Sequence, residues 1–389
     1  MLTWLRVTAL LLGIAVPAAA QTPCAPAPAA GTSASPLPAP TGTFKVGRLA
    51  RHVSASASTP ELMLYAWYPA DAAAAGRPVP YLAGWPESQA ALRAHAERMF
   101  QKASCDFEQG RIFSYAVDGA KAASGRFPVL VFGHGLGVPG FAYASQFEDL
   151  ASHGYVAVSV EHAPTAAFVL FPDGRIGSMD APAWNAVGKL PPDKQLEFER
   201  AQIEPGALAL RRAIDELSTI DASGALAGRL DLARVGVFGH SFGAMAAMRA
   251  SQTDRRVRAV LTQDAFGPGV VSFARETGKQ MTARVGLFFR PLGANVSGQV
   301  EQMWGLYPPG TLLIRAASPG FAHMSFSDLL LLRAVDDGET RAQALRNLVL
   351  VRAMTRTFFD NALKGSAASP SALPGQGYAE LTVRTSVVP

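Results

Sequence analysis

Cysteine is close to absent: the 389-residue chain has two, Cys24 and Cys105. Without a histidine cluster beside them they do not make a zinc site. One disulfide between them and two separate thiols are both compatible with their positions. Charge is also sparse, with Asp, Glu, Lys and Arg making up 17% of the residues and a formal net charge of +5. There is no dense Lys/Arg run and no basic face interleaved with aromatics, so a nucleic-acid partner is not indicated. Apolar runs long enough to cross a bilayer are missing; the stretch at residues 7–16 is too short. Histidine is scarce as well. Of seven, only His323 lies downstream of Ser241.

What is present is a globular composition, 49% hydrophobic, enough for a sizeable core. Residues 1–20 read as an export signal: Arg6 gives a positive start, residues 7–16 are apolar, and Ala18-Ala19-Ala20 offers a cleavage site before Gln21. The expected destination is periplasmic or secreted, as a soluble protein whose mildly basic surface is compatible with peripheral contact with lipid. Residues 21–42, rich in Ala, Pro, Thr and Ser, read as a flexible linker. One catalytic domain is expected over 43–365, followed by a tail over 366–389 with at most one strand.

Within 43–365, strand-like and helix-like segments alternate. Residues 44–52 and 62–68 suggest an antiparallel hairpin, and 88–102 a helix across a sheet edge. The apolar runs at 127–132, 155–160, 257–262, 284–289 and 311–316 read as buried strands. Residues 143–153, 206–217 and 342–363 read as helices. The long connection 161–205, punctuated by Pro, Gly, Phe168, Phe171 and Trp184, reads as a lid or pocket wall. The whole predicts a mostly parallel central sheet with helices on both faces and a lid-like insertion before the next strand, which is the α/β-hydrolase fold.

That next strand runs into Gly239-His240-Ser241-Phe242-Gly243, the G-x-S-x-G form of a nucleophile elbow. Five residues of this kind also occur by chance in glycine-rich turns. Here an apolar strand precedes them and an Ala/Met-rich helix follows, the context an elbow needs. In such hydrolases the acid and then the base follow the serine along the chain. The base is then His323, and the aspartates between are Asp254 and Asp264. Asp254, in Thr253-Asp254-Arg255-Arg256, reads as a helix-end residue, whereas Asp264 leaves a strand where sheets present catalytic groups. Glu276 and Glu301 sit in polar segments. Ser241, Asp264 and His323 are therefore the expected triad, and it requires no metal or cofactor. The expected oxyanion donors are the backbone N–H groups of Phe242 and, from His134-Gly135-Leu136-Gly137, of Leu136. His134 and His240 read as structural. Phe242, Phe266, Trp304, Phe321, Met324 and Phe326 form a candidate apolar pocket as a set, each singly being ordinary core.

Three segments together resemble the plasma-type platelet-activating factor acetylhydrolase family, a calcium-independent phospholipase A2 group. They are residues 132–137 (F-G-H-G-L-G) leading through 150–155 (L-A-S-H-G-Y) to Glu161-His162; residues 238–243 (F-G-H-S-F-G); and Asp264 with His323. The likeness spans roughly 44–363. It implies the same triad and the same oxyanion donors. The family commonly continues E-H with Arg-Asp, where this chain has Ala163-Pro164. The resulting expectation is an exported serine esterase acting on short acyl esters, phospholipids among them. The alternatives are a cutinase-like polyester hydrolase and an inactive hydrolase fold that binds rather than cleaves.

Overall fold

The computed structural model describes residues 37–387 apart from 57–58, 77, 83–96, 98, 100–111 and 334–337. The expected export signal, most of the expected linker, Cys24, Cys105 and all of the expected helix at 88–102 except Glu97 and Met99 fall outside the described residues.

Thirteen strands are present among the described residues. They are β1 (Lys45–Val53), β2 (Leu62–Ala70), β3 (Pro78–Pro80), β4 (Phe113–Asp118), β5 (Phe127–Gly133), β6 (Val156–Glu161), β7 (Val169–Leu170), β8 (Ile176–Gly177), β9 (Leu230–His240), β10 (Val257–Gln263), β11 (Arg284–Phe289), β12 (Leu312–Ala316) and β13 (Leu381–Thr385). The helices are α1 (Ala144–Ser152), α2 (Ala181–Ala186), α3 (Pro192–Ala222), α4 (Phe242–Thr253), α5 (Pro268–Thr277), α6 (Ala294–Trp304), α7 (Leu329–Arg333) and α8 (Gly338–Lys364). Eleven strands join one sheet in the order β13-β12-β11-β10-β9-β5-β6-β2-β1-β4-β3. From β6 through β5, β9, β10 and β11 to β12 every pairing is parallel. The β1–β2 hairpin is antiparallel, as its sequence suggests, and β2 joins β6 antiparallel.

Alternation along the strands sorts the core into two layers. Leu130 and Phe132 of β5, with Trp67 of β2, join Phe147 of α1 and Met354 of α8 on one face. Val129 and Val131, with Leu64, join Leu210 of α3 and Met248 of α4 on the other. A strand covered on both sides needs apolar residues at every position, which is why β5 is buried along its whole length and reads as an unbroken apolar run.

Two departures from the sequence reading have local causes. The helix expected at 206–217 begins fourteen residues earlier, at Pro192, and continues through Pro205. Proline costs an interior hydrogen bond and so reads as a stop, but packing against α4 overrides it at this position. A Cβ on Gly206 would lie 3.0 Å from Ala246 Cβ and 3.4 Å from the Phe242 ring. The Pro-Gly pair is thus a close crossing of two helices.

The second departure is at the linker. Residues 37–42 are docked, not loose: Arg352 donates to Pro38 O (3.0 Å) and Ala39 O (2.8 Å), and Thr41 N–H and Oγ1 donate to Asp149 Oδ1 at 3.0 and 2.7 Å. Arg352 and Asp149 form a buried ion pair at 2.5 Å. Such a pair is costly to bury unless its remaining donors and acceptors are satisfied, and the strap supplies them.

Candidate active site

β9 ends at His240 and α4 begins at Phe242, so Ser241 alone makes the bend, with φ 54° and ψ −121°. Its N–H donates to Gln263 O at 2.8 Å, and its carbonyl accepts from Ala244 N–H at 3.1 Å. The bend brings α4 close to β5. A Cβ on Gly239 would lie 2.5 Å from the Gly243 carbonyl, and one on Gly243 only 2.1 Å from Gly133 O. Glycine at both flanks is a steric demand of the bend.

In-register pairing aligns the strand exits, with Gln263 opposite His240 on one side and Phe288 on the other. Asp264 follows directly, its N–H donating to Phe288 O at 2.7 Å. It has φ 53°; among the described residues, Ser241 and Asp264 are the only non-glycine residues with positive φ. Each such position costs on the order of 1–3 kcal/mol and persists where the surroundings enforce it.

His323 opens a 3-10 turn beyond β12. Its Nδ1 is 2.5 Å from Asp264 Oδ2 and its Nε2 2.9 Å from Ser241 Oγ. One imidazole thus spans the hydroxyl and the carboxylate. With Nδ1–H donating to the carboxylate, Nε2 faces the serine hydroxyl as an acceptor for its proton.

The acid has a further partner that the sequence reading did not name. Arg290, the first residue past β11, donates from Nε to Asp264 Oδ2 at 2.9 Å and from its backbone N–H to Oδ1 at 3.3 Å. The rule that singled out Asp264, that functional groups gather where parallel strands end, applies equally to Arg290. The other acids lie elsewhere. Asp254 ends α4 and is bound by Arg256 at 2.6 Å, Glu276 pairs with Arg200, and Glu301 with Arg315 and Arg384.

The loop after β5 runs beside the elbow. Gly135 N–H donates to Tyr143 Oη, Gly137 N–H to Thr165 O and Val138 N–H to Gly135 O. Between them, the Leu136 N–H donates to no group among the described residues, and neither does the Phe242 N–H at the start of α4. Glu161 buttresses this loop: its Oε2 accepts Gly140 N–H at 2.9 Å and its Oε1 the Ser159 hydroxyl at 2.7 Å. His162 bonds Thr165 Oγ1 at 2.6 Å, and burial pushes its pKa down to about 3, with His134 beside it adding to the effect. Glu161 therefore holds loop backbone in place, and His162 is tied to a side-chain hydroxyl beside it. His134 bonds Gly135 O at 2.9 Å, and His240 bonds Tyr143 Oη at 2.8 Å. Both have the structural contacts their sequence context suggests. Burial, then the proximity of His323, holds the His240 pKa well below the usual 6.5.

The insertion between β6 and β9 folds over this edge. Met179 N–H bonds Ala166 O, and the Met179 sulfur would be 3.2 Å from a Cβ on Gly137. Trp184 of α2 meets the Phe242 ring edge-on at 5.3 Å and the Phe198 ring at 5.1 Å. Of the expected pocket residues, Phe242 stands at the elbow and Phe266 is half-buried two residues past Asp264. Trp304 does not belong there. Its Nε1 donates to Thr311 O just before β12 begins, at the end of the sheet opposite the strand exits. Phe321, Met324 and Phe326 are packed into the core layer with α1 and α8. The wide aromatic near the serine is Trp184, which the sequence reading placed in the lid. Among the described residues, no three His, Cys, Asp or Glu side chains converge as a metal site would require.

The parallel run of β6, β5, β9, β10, β11 and β12, with the bend after β9, defines an α/β-hydrolase fold. A profile of the family described as platelet-activating factor acetylhydrolase, isoform II, matches residues 29–332, well over half of the chain, and the protein belongs to that family. It is 27% identical over 157 residues to the platelet-activating factor acetylhydrolase of Canis lupus familiaris, a match covering 36% of this chain and 35% of that protein. The corresponding protein of Cavia porcellus is 30% identical over 156 residues, with the same shares covered. The chain thus spans about a third of the length of the curated relatives it matches. A solved ferulic acid esterase from Streptomyces cinnamoneus superimposes with a TM-score of 0.65 at 22% identity, covering 89% of this chain and 98% of that one. At that identity the likeness is one of fold.

Proposed function

We propose that this protein is an exported carboxylic ester hydrolase that works through Ser241, His323 and Asp264. The observation that carries the reading is the single imidazole bridging Ser241 Oγ at 2.9 Å and Asp264 Oδ2 at 2.5 Å. In the first half-reaction, Ser241 Oγ bonds to the ester carbonyl carbon as its proton passes to His323 Nε2. The carbonyl oxygen becomes an oxyanion facing the N–H groups of Leu136 and Phe242. Collapse breaks the bond to the alcohol oxygen, which takes the proton from His323. Water then repeats the sequence on the acyl-enzyme, releasing the acid and restoring Ser241. Asp264 keeps the imidazole in the required tautomer throughout.

The substrate class we favour is short acyl esters, the sn-2 acetyl or short acyl group of a phospholipid among them. The names of the family relatives, acetylhydrolases, point that way. So does the crowding of the elbow by Trp184 and of the loop after β5 by Met179. Fluorophosphonate is expected to label Ser241, and p-nitrophenyl acetate to be cleaved with a kcat/KM about tenfold or more above that for the palmitate. Short-acyl phosphatidylcholine and a polyester film complete the comparison. No covalent labelling would sink the esterase reading, and a preference for film or palmitate would sink the short-acyl one. Export rests on Arg6, the apolar residues 7–16 and Ala18 to Ala20. An N-terminus at Gln21 in protein recovered outside the cytoplasm is the expected result, and an uncleaved Met1 would contradict it.

A further inference from the structure

One buried hydroxyl joins the two chain segments that flank the serine site. Tyr143 is fully buried at the start of α1, its ring against Phe132 at 4.7 Å. Its Oη accepts Gly135 N–H at 3.2 Å and lies 2.8 Å from His240 Nδ1. Gly135 immediately precedes Leu136, and His240 immediately precedes Ser241 and Phe242. The same oxygen therefore links the two backbones that carry the proposed oxyanion donors. The fit is close: a Cβ on Gly135 would come within 3.0 Å of Tyr143 Oη and 3.1 Å of His240 Nδ1.

A phenol oxygen has one proton to give and two lone pairs. With Gly135 N–H on one lone pair, the arrangement that also pairs the buried phenol proton sends it to an unprotonated His240 Nδ1, and the His240 proton is then on Nε2. The His240 ring lies 4.5 Å from the His323 ring and stacks on Phe326 at 5.6 Å. A neutral His240 puts no second positive charge beneath His323 when that ring carries the serine proton.

We propose that Tyr143 is a positioning residue for ester hydrolysis, setting the spacing of the Leu136 and Phe242 N–H groups and holding His240 as the neutral Nε2–H tautomer under the base. The inference rests on the serine-esterase reading above. Phenol and imidazole act here through backbone, before substrate binds, so their loss falls on the transition state more than on substrate binding.

The test is Tyr143→Phe, with active sites counted by fluorophosphonate titration so that misfolded protein does not enter the rate. Expected is a fall in kcat per titrated site of about 10–100-fold, short of the 10²–10³ for outright loss of a donor. KM on p-nitrophenyl acetate should stay within about twofold. A trifluoromethyl ketone, whose serine adduct carries an oxyanion at the same donors, should lose affinity by the same factor as kcat/KM. A role in packing alone would leave the ketone's affinity unchanged. Wild-type kcat per site, or unchanged ketone affinity, overturns the inference. Ser241→Ala run alongside separates the two levels: an active Ser241→Ala protein removes the esterase reading itself, whereas an inert one beside a fully active Tyr143→Phe protein removes only this inference.

Discussion

Ser241→Ala is expected to lower kcat on p-nitrophenyl acetate by about 10⁶, leaving the melting temperature and KM close to those of the parent protein. The size follows from the chemistry. Without Oγ there is no covalent intermediate, and His323 has no proton to take, so the histidine and aspartate lose their function together. What remains is water attacking a bound ester beside the Leu136 and Phe242 donors, for which about 10³–10⁴ over the uncatalysed rate is a reasonable residue. The fold should tolerate the change, because the contacts that shape the bend are backbone ones: Ser241 N–H to Gln263 O, and Ala244 N–H to Ser241 O. Steady-state rates together with a thermal melt check both halves. A variant retaining most of its activity would refute the proposed nucleophile.

Asp264→Asn is expected to cost about 10⁴ in kcat with the site still assembled. Arg290 Nε faces Asp264 Oδ2, the oxygen that also meets His323 Nδ1, and the Arg290 backbone N–H faces Oδ1. An asparagine has one carbonyl oxygen for these donors, so its NH₂ meets an N–H whichever way the amide is turned. With the NH₂ at the Oδ2 place, an unprotonated His323 Nδ1 is favoured, the ring proton moves to Nε2, and the base can no longer accept. With the oxygen there instead, the negative charge that stabilises the imidazolium is still lost. The pre-steady-state burst on p-nitrophenyl acetate should shrink to the point of being undetectable. A variant with a full burst at the parent rate would show that Asp264 does not set the tautomer.

Much of this site was legible in the sequence because the chemistry leaves few options. Only one histidine follows Ser241, and of the aspartates between them only Asp264 directly follows a buried strand. Of the central strands, β5, β6, β11 and the second half of β9 were visible because, covered on both faces, they are mainly apolar along these stretches. What was missed depends on tertiary contacts that no local pattern encodes. Pro205 looks like a helix stop, and only the fit of Gly206 against Phe242 shows why the helix continues. Trp304 looks like a pocket aromatic, but as the last residue of α6 it bonds Thr311 O where β12 begins, away from the strand exits. Docking of residues 37–42 follows from a buried Arg352–Asp149 pair contributed by two distant helices. The positive φ at Ser241 and Asp264 breaks the usual backbone preference at the two positions where the proposed chemistry needs it.

A wide sheet also has rims, and these bear on how the protein behaves when crowded. Among the described strands, one rim is β3, whose first and last residues are Pro78 and Pro80. Proline has no N–H to offer an incoming strand, so this border is a poor template for growth by strand addition. The opposite border is β13, five residues long, with Arg384 projecting from it to Glu301. Neither of these described borders invites growth of the sheet through the backbone.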